Sequence, residues 1–560
     1  MSRTHWKLLP PIPAEQTATA GIHPLIVRLL YNRGITEPSQ FELFLSADAR
    51  LQGDPFLLPD MPQAVGRIYQ ALLSGEKIAI YGDFDADGIS ATALLVQGLS
   101  ALGGRIIPYI PHRLHEGYGL KVAALEKLRK QGVTLVITVD CGITAVHEVR
   151  EAKKMGLDII ITDHHLPTTP QPQAIAVIDP RRADSVYPYP QLAGVGVAFK
   201  LLQALVWRGG REAMLTDFLD LVALGTVTDM APLIGENRYL VKSGLKVLNT
   251  TGRLGIAKMV GCAGVEPGNI EAETISWILG PRLNAAGRID HAITGYRLLV
   301  THIPEEAHRL ALELEEKNSQ RQQITNELLQ VVKEKLITIG TEFPLLIAKG
   351  ESYPPGVIGI VAGKLSEEFY RPVVLVKLGE EVCRGSARSI PEFDLINALK
   401  ECGDLLSRFG GHSMAAGFVL PLQNLSFFEE RLLNLATQQL SGLDLRPHLD
   451  IDAEVPLSVF AGDIFQSIQQ LAPFGCGNQV PTFLSRNVKA VEVRNVGNQA
   501  EHLLLKLRQG DTTWQAIGFK LGSSAPQIGS YLDIIYNLEI DRWNGQEVLR
   551  LNLLDLAPSA

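Results

Sequence analysis

Three aspartates stand two residues apart, directly after a short apolar segment. The segment, residues 78–81, is typical of a buried strand, and Asp83, Asp85 and Asp87 follow it. Crowded carboxylates repel one another unless a cation neutralises them, and Mg²⁺ and Mn²⁺ are hard cations that bind carboxylate oxygens. Because the ligands of open α/β sheets collect beyond the carboxyl ends of the strands, this spacing predicts a divalent metal site.

The acidic triplet could also belong to a calcium-binding loop or to a turn without a metal. The pattern D-x-D-x-D-G begins an EF-hand loop, which requires a glutamate at its twelfth position. Counted from Asp83, that position is Leu94, and the preceding segment is typical of a strand, so an EF-hand is excluded. A solvated acidic turn without a metal remains an alternative for this stretch taken alone.

Further acids and imidazoles follow two predicted strands and one apolar turn: Asp140, Asp163, His164, His165 and Asp229. The two strands are predicted at residues 134–139 and 158–162. Side chains at the ends of several parallel strands converge on one crevice. A single aspartate there is usually a cap or a satisfied turn, but the combination indicates a shared site. Its mixture of Asp and His suits Mn²⁺ or Mg²⁺ better than structural zinc, which prefers thiolates.

Composition limits the kinds of protein that would carry such a site. The chain has 560 residues, 46% of them hydrophobic, which predicts several globular domains. Its five cysteines are scattered, which indicates a reducing compartment and no disulfide or zinc framework. There is no apolar segment long enough for a membrane span and no secretion signal, so we expect a cytoplasmic protein. The net charge of −8 disfavours a general polyanion binder but allows a local basic channel.

The elements that must position these residues change in character along the chain. Short apolar strands alternate with amphipathic helices from residue 77, which predicts a mostly parallel sheet. A long charged helix follows, then a second α/β unit, then five short alternating strands typical of a small β-barrel. The predicted boundaries are 1–75 for an N-terminal helical preface, 76–302 for the first α/β domain, 303–338 for the connecting helix, 339–440 for the second α/β domain and 450–558 for the barrel.

In this order the motifs resemble a known family. DFDADG, VDCG, DHH and GTVTDMAPL match the DHH phosphoesterase superfamily, and GPRLNAAGRIDHA, RGSARS, FGGHSMAAGF and LAPFGCGN are similar to its RecJ branch. The resemblance implies an α/β fold: a parallel-sheet DHH domain, a long helix, a DHHA1 domain and a C-terminal OB-fold. It also implies a 5′-to-3′ exonuclease that hydrolyses single-stranded DNA to 5′-mononucleotides in recombination and repair.

The resemblance implies roles for the candidate residues. The metal ligands would be Asp85, Asp87, Asp140, His164 and Asp229, with Asp83 a weaker candidate, holding two ions of Mn²⁺ or Mg²⁺. Asp140 would bridge the ions, and His165 would face the phosphate and either orient it or assist protonation of the leaving group. The chain departs from the family pattern at Asp179, where asparagine is usual.

A second set of residues is expected to bind DNA. The resemblance implies that Ser386 and Arg388 hold the 5′ phosphate, with Arg282 and Arg288 as candidates for the same pocket. His412 has either a buried structural role or a DNA contact, and Arg113 belongs either to a DNA contact or to a capped loop. For RGSARS taken alone, a turn with surface arginines is the alternative. The barrel aromatics Trp514, Phe519 and Trp543 are candidates for stacking or for the barrel core.

Two other functions remain as alternatives. One is a phosphoesterase of the same superfamily that acts on short oligonucleotides or cyclic dinucleotides, although such relatives usually lack the barrel. The other is a non-catalytic replication scaffold, which should have lost its ligands. Single-stranded DNA is the expected partner, and the family alone implies single-strand-binding protein and a RecQ-type helicase.

Overall fold

The computed structural model describes residues 4–12, 21–113, 115–250, 252–541 and 547–559. The predicted stacking candidate Trp543 lies outside these residues. Among the helices described, none is both long and apolar enough to cross a bilayer.

The first α/β domain is built on a sheet of five strands, which alternate with helices along the chain. These elements are β2 (Lys77–Tyr81), α4 (Ala86–Ala101), β3 (Arg105–Tyr109), α5 (Val122–Lys130), β4 (Val133–Val139), α6 (Val146–Lys154), β5 (Asp158–Thr162) and β6 (Ala176–Ile178). All paired strands are parallel, in the order β3-β2-β4-β5-β6. Ile78 and Ile80 of β2 enter one core, whereas Ala79 and Tyr81 enter another. The sheet is therefore buried on both faces, which is why its strands are continuous apolar runs.

A helical layer completes this domain. Its elements are α7 (Gly194–Val206), α8 (Leu219–Thr228), α9 (Gly235–Thr250), α10 (Leu254–Cys262), the short α11 (Ala272–Thr274), a π-helical turn (Ile275–Leu279), α12 (Gly280–Ile289) and α13 (Ile293–Val300). Helices α7 and α8 lie against α4 and share its apolar core. This packing brings the ends of α7, α8 and α12 to the edge of the sheet where the acidic triplet lies.

The connecting helix α14 (Pro304–Ile339) has 36 residues, which gives it a length of about 54 Å. Leu310 and Leu314 in its first half belong to the core of the first domain. Val332 and Leu336 in its second half belong to a core of the next domain. The helix therefore fixes the two α/β domains relative to each other.

The second α/β domain has a mixed sheet in the order β10-β11-β9-β8-β7. Its elements are β7 (Leu346–Gly350), α15 (Ile358–Phe369), β8 (Val373–Lys377), β9 (Val382–Arg388), α16 (Leu395–Glu401), β10 (Arg408–Gly411), β11 (Ala415–Pro421) and α17 (Leu425–Leu440). Strands β7 and β8 are parallel, and the remaining pairs are antiparallel.

The C-terminal domain is the predicted barrel. Its elements are β12 (His448–Ile451), β13 (Ala453–Glu454), α18 (Ile464–Gln469), β14 (Phe483–Val496), β15 (His502–Gln509), β16 (Thr512–Gly518), β17 (Tyr531–Asp541) and β18 (Val548–Pro558). Five of these strands close on themselves because β17 pairs with both β18 and β14. The expected fold of two α/β domains, a long helix and a barrel is confirmed.

The N-terminal residues differ from the helical preface predicted for 1–75. They contain a strand, β1 (His5–Leu8), as well as α1 (Pro24–Asn32), α2 (Pro38–Ser46) and α3 (Met61–Leu73). Strand β1 pairs with β12, and α1 and α2 pack into the barrel core, whereas α3 joins the core of the first domain. The described residues of this segment form no separate core, since their apolar side chains join cores built by other parts of the chain.

Candidate metal centre

The carboxyl ends of three adjacent strands carry the predicted ligands. Asp83 follows β2, Asp140 follows β4, and the Asp163–His164–His165 triplet follows β5. The sheet order β2-β4-β5 places these ends side by side. Asp85 and Asp87 stand at the start of α4, and Asp229 stands at the end of α8. The geometric expectation that these side chains meet at one sheet edge is therefore fulfilled.

Backbone N–H groups hold two of the carboxylates. The Oδ1 atom of Asp85 caps α4 and accepts from the N–H groups of Asp87 at 3.1 Å and Gly88 at 3.0 Å. The carboxylate of Asp87 accepts from Gly194 at 2.7 Å and Val195 at 2.9 Å, at the N-terminus of α7. The positive end of a helix favours a negative charge, so α7 compensates part of the charge of Asp87. This role of α7 was not predicted from the sequence.

The close approach of α7 requires a glycine. A Cβ atom on Gly194 would lie 2.6 Å from Cβ of Asp140, well inside contact distance. The glycine therefore lets a helix terminus reach two acidic side chains at once.

The ligand atoms form three overlapping groups, and within each group they lie within 4.8 Å of one another. The groups are Asp83, Asp85 and Asp140; Asp87, His164 and Asp229; and Asp140, His164 and His165. Nε2 of His164 is 3.0 Å from Oδ1 of Asp140 and 4.0 Å from Oδ2 of Asp87. The first two groups are therefore adjacent, and the third group joins them.

The electrostatics of this cluster favour a cation. Burial, followed by repulsion from neighbouring aspartates, raises the pKa of Asp83, Asp87 and Asp140 well above the ordinary carboxyl value. Burial and the charge of Asp85 raise the pKa of Asp229 to about 7. Burial and the charge of His165 lower the pKa of His164 to about 3, so its imidazole is neutral, which is the state that binds metals.

Two buried polar atoms in the cluster have no hydrogen-bond partner among the described residues: Oδ1 of Asp83 and Nδ1 of His164. Buried polar groups are normally paired, and an unpaired one often marks the place of an ion or a water molecule. Carboxylate oxygens with one imidazole nitrogen form a donor set suited to Mn²⁺ and Mg²⁺. The residues present therefore fit two divalent ions.

Asp163 organises the histidine that follows this cluster. Its Oδ1 accepts from the N–H of His164 at 2.8 Å and lies 2.7 Å from Nδ1 of His165, and its Oδ2 accepts from Ile143. Burial lowers the pKa of His165, but the hydrogen bond and the charge of Asp163 outweigh it and set the value at about 9. No separate role was predicted for Asp163, although its position beside the histidines is a usable signal.

Four arginines cluster beside the acidic centre: Arg113, Arg288 and Arg388, which were predicted, and Arg321 of α14, which was not. None of them forms an ion pair within 4.0 Å among the described residues. Burial and the charges of the other three arginines lower the pKa of Arg288 to about 9. Nη1 of Arg388 is 3.4 Å from Oγ of Ser386, and Nε of Arg321 is buried without a hydrogen-bond partner among the described residues. An anion would relieve this concentration of positive charge.

The other predicted DNA-binding residues lie in different surroundings. Arg282 forms a two-pronged ion pair with Glu315, at 2.6 and 3.2 Å, so its guanidinium is already engaged. His412, in the turn between β10 and β11, has its pKa lowered by burial and by the charges of His165 and Arg181. His412 is therefore within electrostatic range of His165. Arg181 was not predicted.

Two of the barrel aromatics lie in different environments. Trp514 packs edge-on against Phe460 beside the barrel core. Phe519 is exposed and contacts the ring of His502.

Comparisons with known proteins identify three family domains in the chain. Residues 77–226 match the N-terminal domain of the DHH family, residues 342–439 match the DHHA1 domain, and residues 451–555 match the RecJ OB domain. The single-stranded-DNA-specific exonuclease RecJ of Bacillus subtilis is 36% identical over 565 residues, covering 100% of this chain and 71% of that protein.

Solved structures are similar over the whole chain. RecJ of Thermus thermophilus in complex with Mn²⁺ superimposes with a TM-score of 0.86 at 30% identity, covering 100% of this chain and 80% of that one. The structure of the same protein with Mg²⁺ gives a TM-score of 0.79 at 29% identity, with 100% and 79% covered. Both ions are types that the acidic cluster suits.

Proposed function

Because the chain belongs to the RecJ family of single-stranded-DNA-specific exonucleases, we propose that its acidic cluster is the centre that hydrolyses single-stranded DNA. The strand is degraded from its 5′ end to 5′-mononucleotides, in DNA recombination and repair. One observation carries this proposal: the adjacent ligand groups of Asp83, Asp85 and Asp140 and of Asp87, His164 and Asp229.

Each of these two groups would hold one divalent ion, with Asp140 placed between them. When bound, Mn²⁺ or Mg²⁺ neutralises charge on the phosphate oxygens and makes a water molecule nucleophilic at neutral pH. The N–H groups of Gly88, Gly194 and Val195 keep the carboxylates oriented. Burial of the cluster strengthens each electrostatic interaction within it.

His165 is placed to hold a proton for the leaving group. Its Nδ1 is engaged by Asp163, so Nε2 is the nitrogen left to face the substrate. The pKa of about 9 keeps the imidazole protonated at neutral pH. The 3′ oxygen released from the scissile phosphate takes up this proton, and Asp163 stabilises the orientation of the ring.

The cluster of Arg113, Arg288, Arg321 and Arg388 receives the terminal 5′ phosphate. Guanidinium groups bind phosphate oxygens in pairs and are the preferred partners of phosphates. Both α/β domains contribute to this cluster, since Arg288 belongs to the first and Arg388 to the second. The two domains also touch here, because Nη1 of Arg288 donates to the carbonyl of Gly356 at 3.2 Å. A phosphate held here, beside the metal centre, would set the cut one nucleotide from a free 5′ end.

The test uses a 5′-labelled single strand, the matching blunt duplex and a labelled dinucleotide, each with Mn²⁺. We expect labelled mononucleotide from the single strand and little from the duplex, because the site lies between two domains fixed by α14. Equal rates on duplex and single strand would reject the proposal. Preference for the dinucleotide would favour the alternative, a phosphoesterase of short oligonucleotides.

We further propose a cytoplasmic location, with single-strand-binding protein and a RecQ-type helicase as partners. The family resemblance supports these proposals. Co-purification of either protein with the tagged full chain would test the partners. An unrelated tagged protein, purified at the same salt concentration, should not retain them.

A further inference from the structure

Asp229 differs from the other candidate ligands in how it is held. Its carboxylate accepts no hydrogen bond among the described residues, whereas Asp85 and Asp87 are held by backbone N–H groups. It stands at the end of α8, and the next residue, Met230, has a φ of +60°. This left-handed conformation is uncommon outside glycine and persists only where the surroundings enforce it. The position of the Asp229 carboxylate therefore depends on the conformation of the turn that follows α8.

The barrel domain holds the residues that follow this turn. The N–H of Leu233 donates to the carbonyl of Cys476 at 2.7 Å. A Cβ atom on Gly475 would lie 2.8 Å from Cδ1 of Leu233, and one on Gly477 would lie 2.9 Å from Cβ of Pro232. Gly477 also has a φ of +70°. The backbone of the barrel loop, residues 471–478, thus packs directly on the turn, and a side chain at 477 would disturb it.

Two buried side chains fix the barrel loop in turn. Nδ2 of Asn478 donates to the carbonyls of Leu471 and Pro473, each at 2.8 Å, and Asn478 is fully buried. The guanidinium of Arg238 is also fully buried and donates to the carbonyls of Gln470, Leu471 and Ala472.

Arg238 belongs to α9, which starts two residues after Leu233. A buried guanidinium is costly unless its N–H groups are hydrogen-bonded, and here carbonyls of the loop accept such hydrogen bonds. Arg238 therefore ties the loop firmly to the same stretch of chain that carries Asp229.

We infer that Asn478 and Arg238 are positioning residues for Asp229, acting through the barrel loop, so that the barrel domain forms part of the metal centre. This inference rests on the proposed function, in which Asp229 binds one of the two ions. Residues that orient metal ligands without touching the ion commonly affect affinity about 10- to 100-fold.

The test measures Mn²⁺ binding by titration calorimetry on the full chain carrying Asn478→Ala. We expect one of two Mn²⁺ sites to weaken about 10- to 100-fold while the other keeps its affinity. We also expect kcat to fall and to recover at higher Mn²⁺ concentration, with KM for single-stranded DNA unchanged. A purely structural role would not give rescue by the ion. Asn537→Ala is the matched control, since Nδ2 of Asn537 also donates to a barrel carbonyl, that of Pro481, outside the loop of residues 471–478.

Two further variants separate the possible outcomes. Gly477→Ala alters an exposed loop position and decides the question if circular dichroism shows that Asn478→Ala is unfolded. Asp229→Asn should lose the same Mn²⁺ site. If Asp229→Asn loses that site but Asn478→Ala and Gly477→Ala bind both ions normally, the inference is overturned and the proposed function stands. If Asp229→Asn retains both sites, the ligand assignment itself is wrong, and the inference falls with it.

Discussion

Nε2 of His164 lies 3.0 Å from Oδ1 of Asp140, so an imidazole of one ligand group touches a carboxylate of the other. The two residues follow adjacent parallel strands, and both are buried. This contact makes Asp140 and His164 the residues through which two ions would share one centre. Changing a ligand side chain and removing the ions should therefore have different effects on stability, although both should lower activity.

Replacing Asp140 should abolish activity and stabilise the metal-free fold. Asp140→Asn is preferred to alanine, because residue 140 has a φ of +61°, which asparagine adopts more readily. We expect cleavage of single-stranded DNA to fall at least about 10²- to 10³-fold. In EDTA, removal of a repelling buried carboxylate should raise stability by about 0.5–2 kcal/mol. Retained cleavage would remove Asp140 from the mechanism, and unfolding would show that its role is structural.

Removing divalent ions should lower both activity and the midpoint of thermal unfolding. A free ion concentration of 100 times the Kd stabilises the folded state by about 2.7 kcal/mol per site. Because binding needs deprotonated carboxylates and the pKa of Asp229 is about 7, Mn²⁺ affinity should fall as the pH drops below 7. Calorimetric titrations with Mn²⁺ at pH 6 and pH 8, in buffers that bind Mn²⁺ weakly, measure this difference in affinity. Equal affinities at the two pH values would contradict it.

The arginine cluster should discriminate the 5′ end of the substrate. Arg388→Lys or Arg321→Gln should raise KM about 10- to 100-fold for a 5′-phosphorylated strand, since hydrogen bonds to charged groups are worth about 1.5–3 kcal/mol. A strand with a 5′ hydroxyl should be much less affected. Arg446→Lys is the control, because Arg446 is an exposed arginine paired with Asp444 away from the cluster. Equal losses on both substrates would show that the cluster does not bind the terminal phosphate.

Asp179 should destabilise the fold at high pH. It is buried, its Oδ2 lacks a partner among the described residues, and burial raises its pKa to about 7. A carboxyl with a raised pKa favours the folded state when protonated, so stability declines as the pH rises from 3.8 toward 7. The ceiling of this effect is roughly 4 kcal/mol, since one pKa unit is worth about 1.4 kcal/mol.

The variant Asp179→Asn tests this effect in EDTA. We expect a higher midpoint of thermal unfolding than wild type at pH 8 and a clearly smaller difference at pH 5, because the pKa of Asp179 changes from 3.8 to about 7 on folding and only part of the decline lies below pH 5. An equal difference at both pH values would show that ionisation of Asp179 is not the cause.

Much of the metal centre was predictable because its pattern is local. Apolar runs that end in Asp83, Asp140 and Asp163 identify strands with acids at their carboxyl ends, and parallel strands bring such ends to one edge. The order of the motifs, through the family resemblance, also predicted the overall fold and the second α/β domain. The long helix was visible from its charged, proline-free sequence.

The contacts that organise the centre were decided by the tertiary structure. The carboxylate of Asp87 accepts hydrogen bonds from N–H groups more than 100 residues away in the sequence. Arg321 belongs to the arginine cluster, although the pattern of its helix predicts only a connection between domains. The N-terminal strand finds its partner at residues 448–451, and the turn after Asp229 is held by a loop of the barrel. Local spacing specifies which side chains an element presents. It carries no information on which distant helix end, arginine or loop will pack against them, because that depends on how the cores of all the domains fit together.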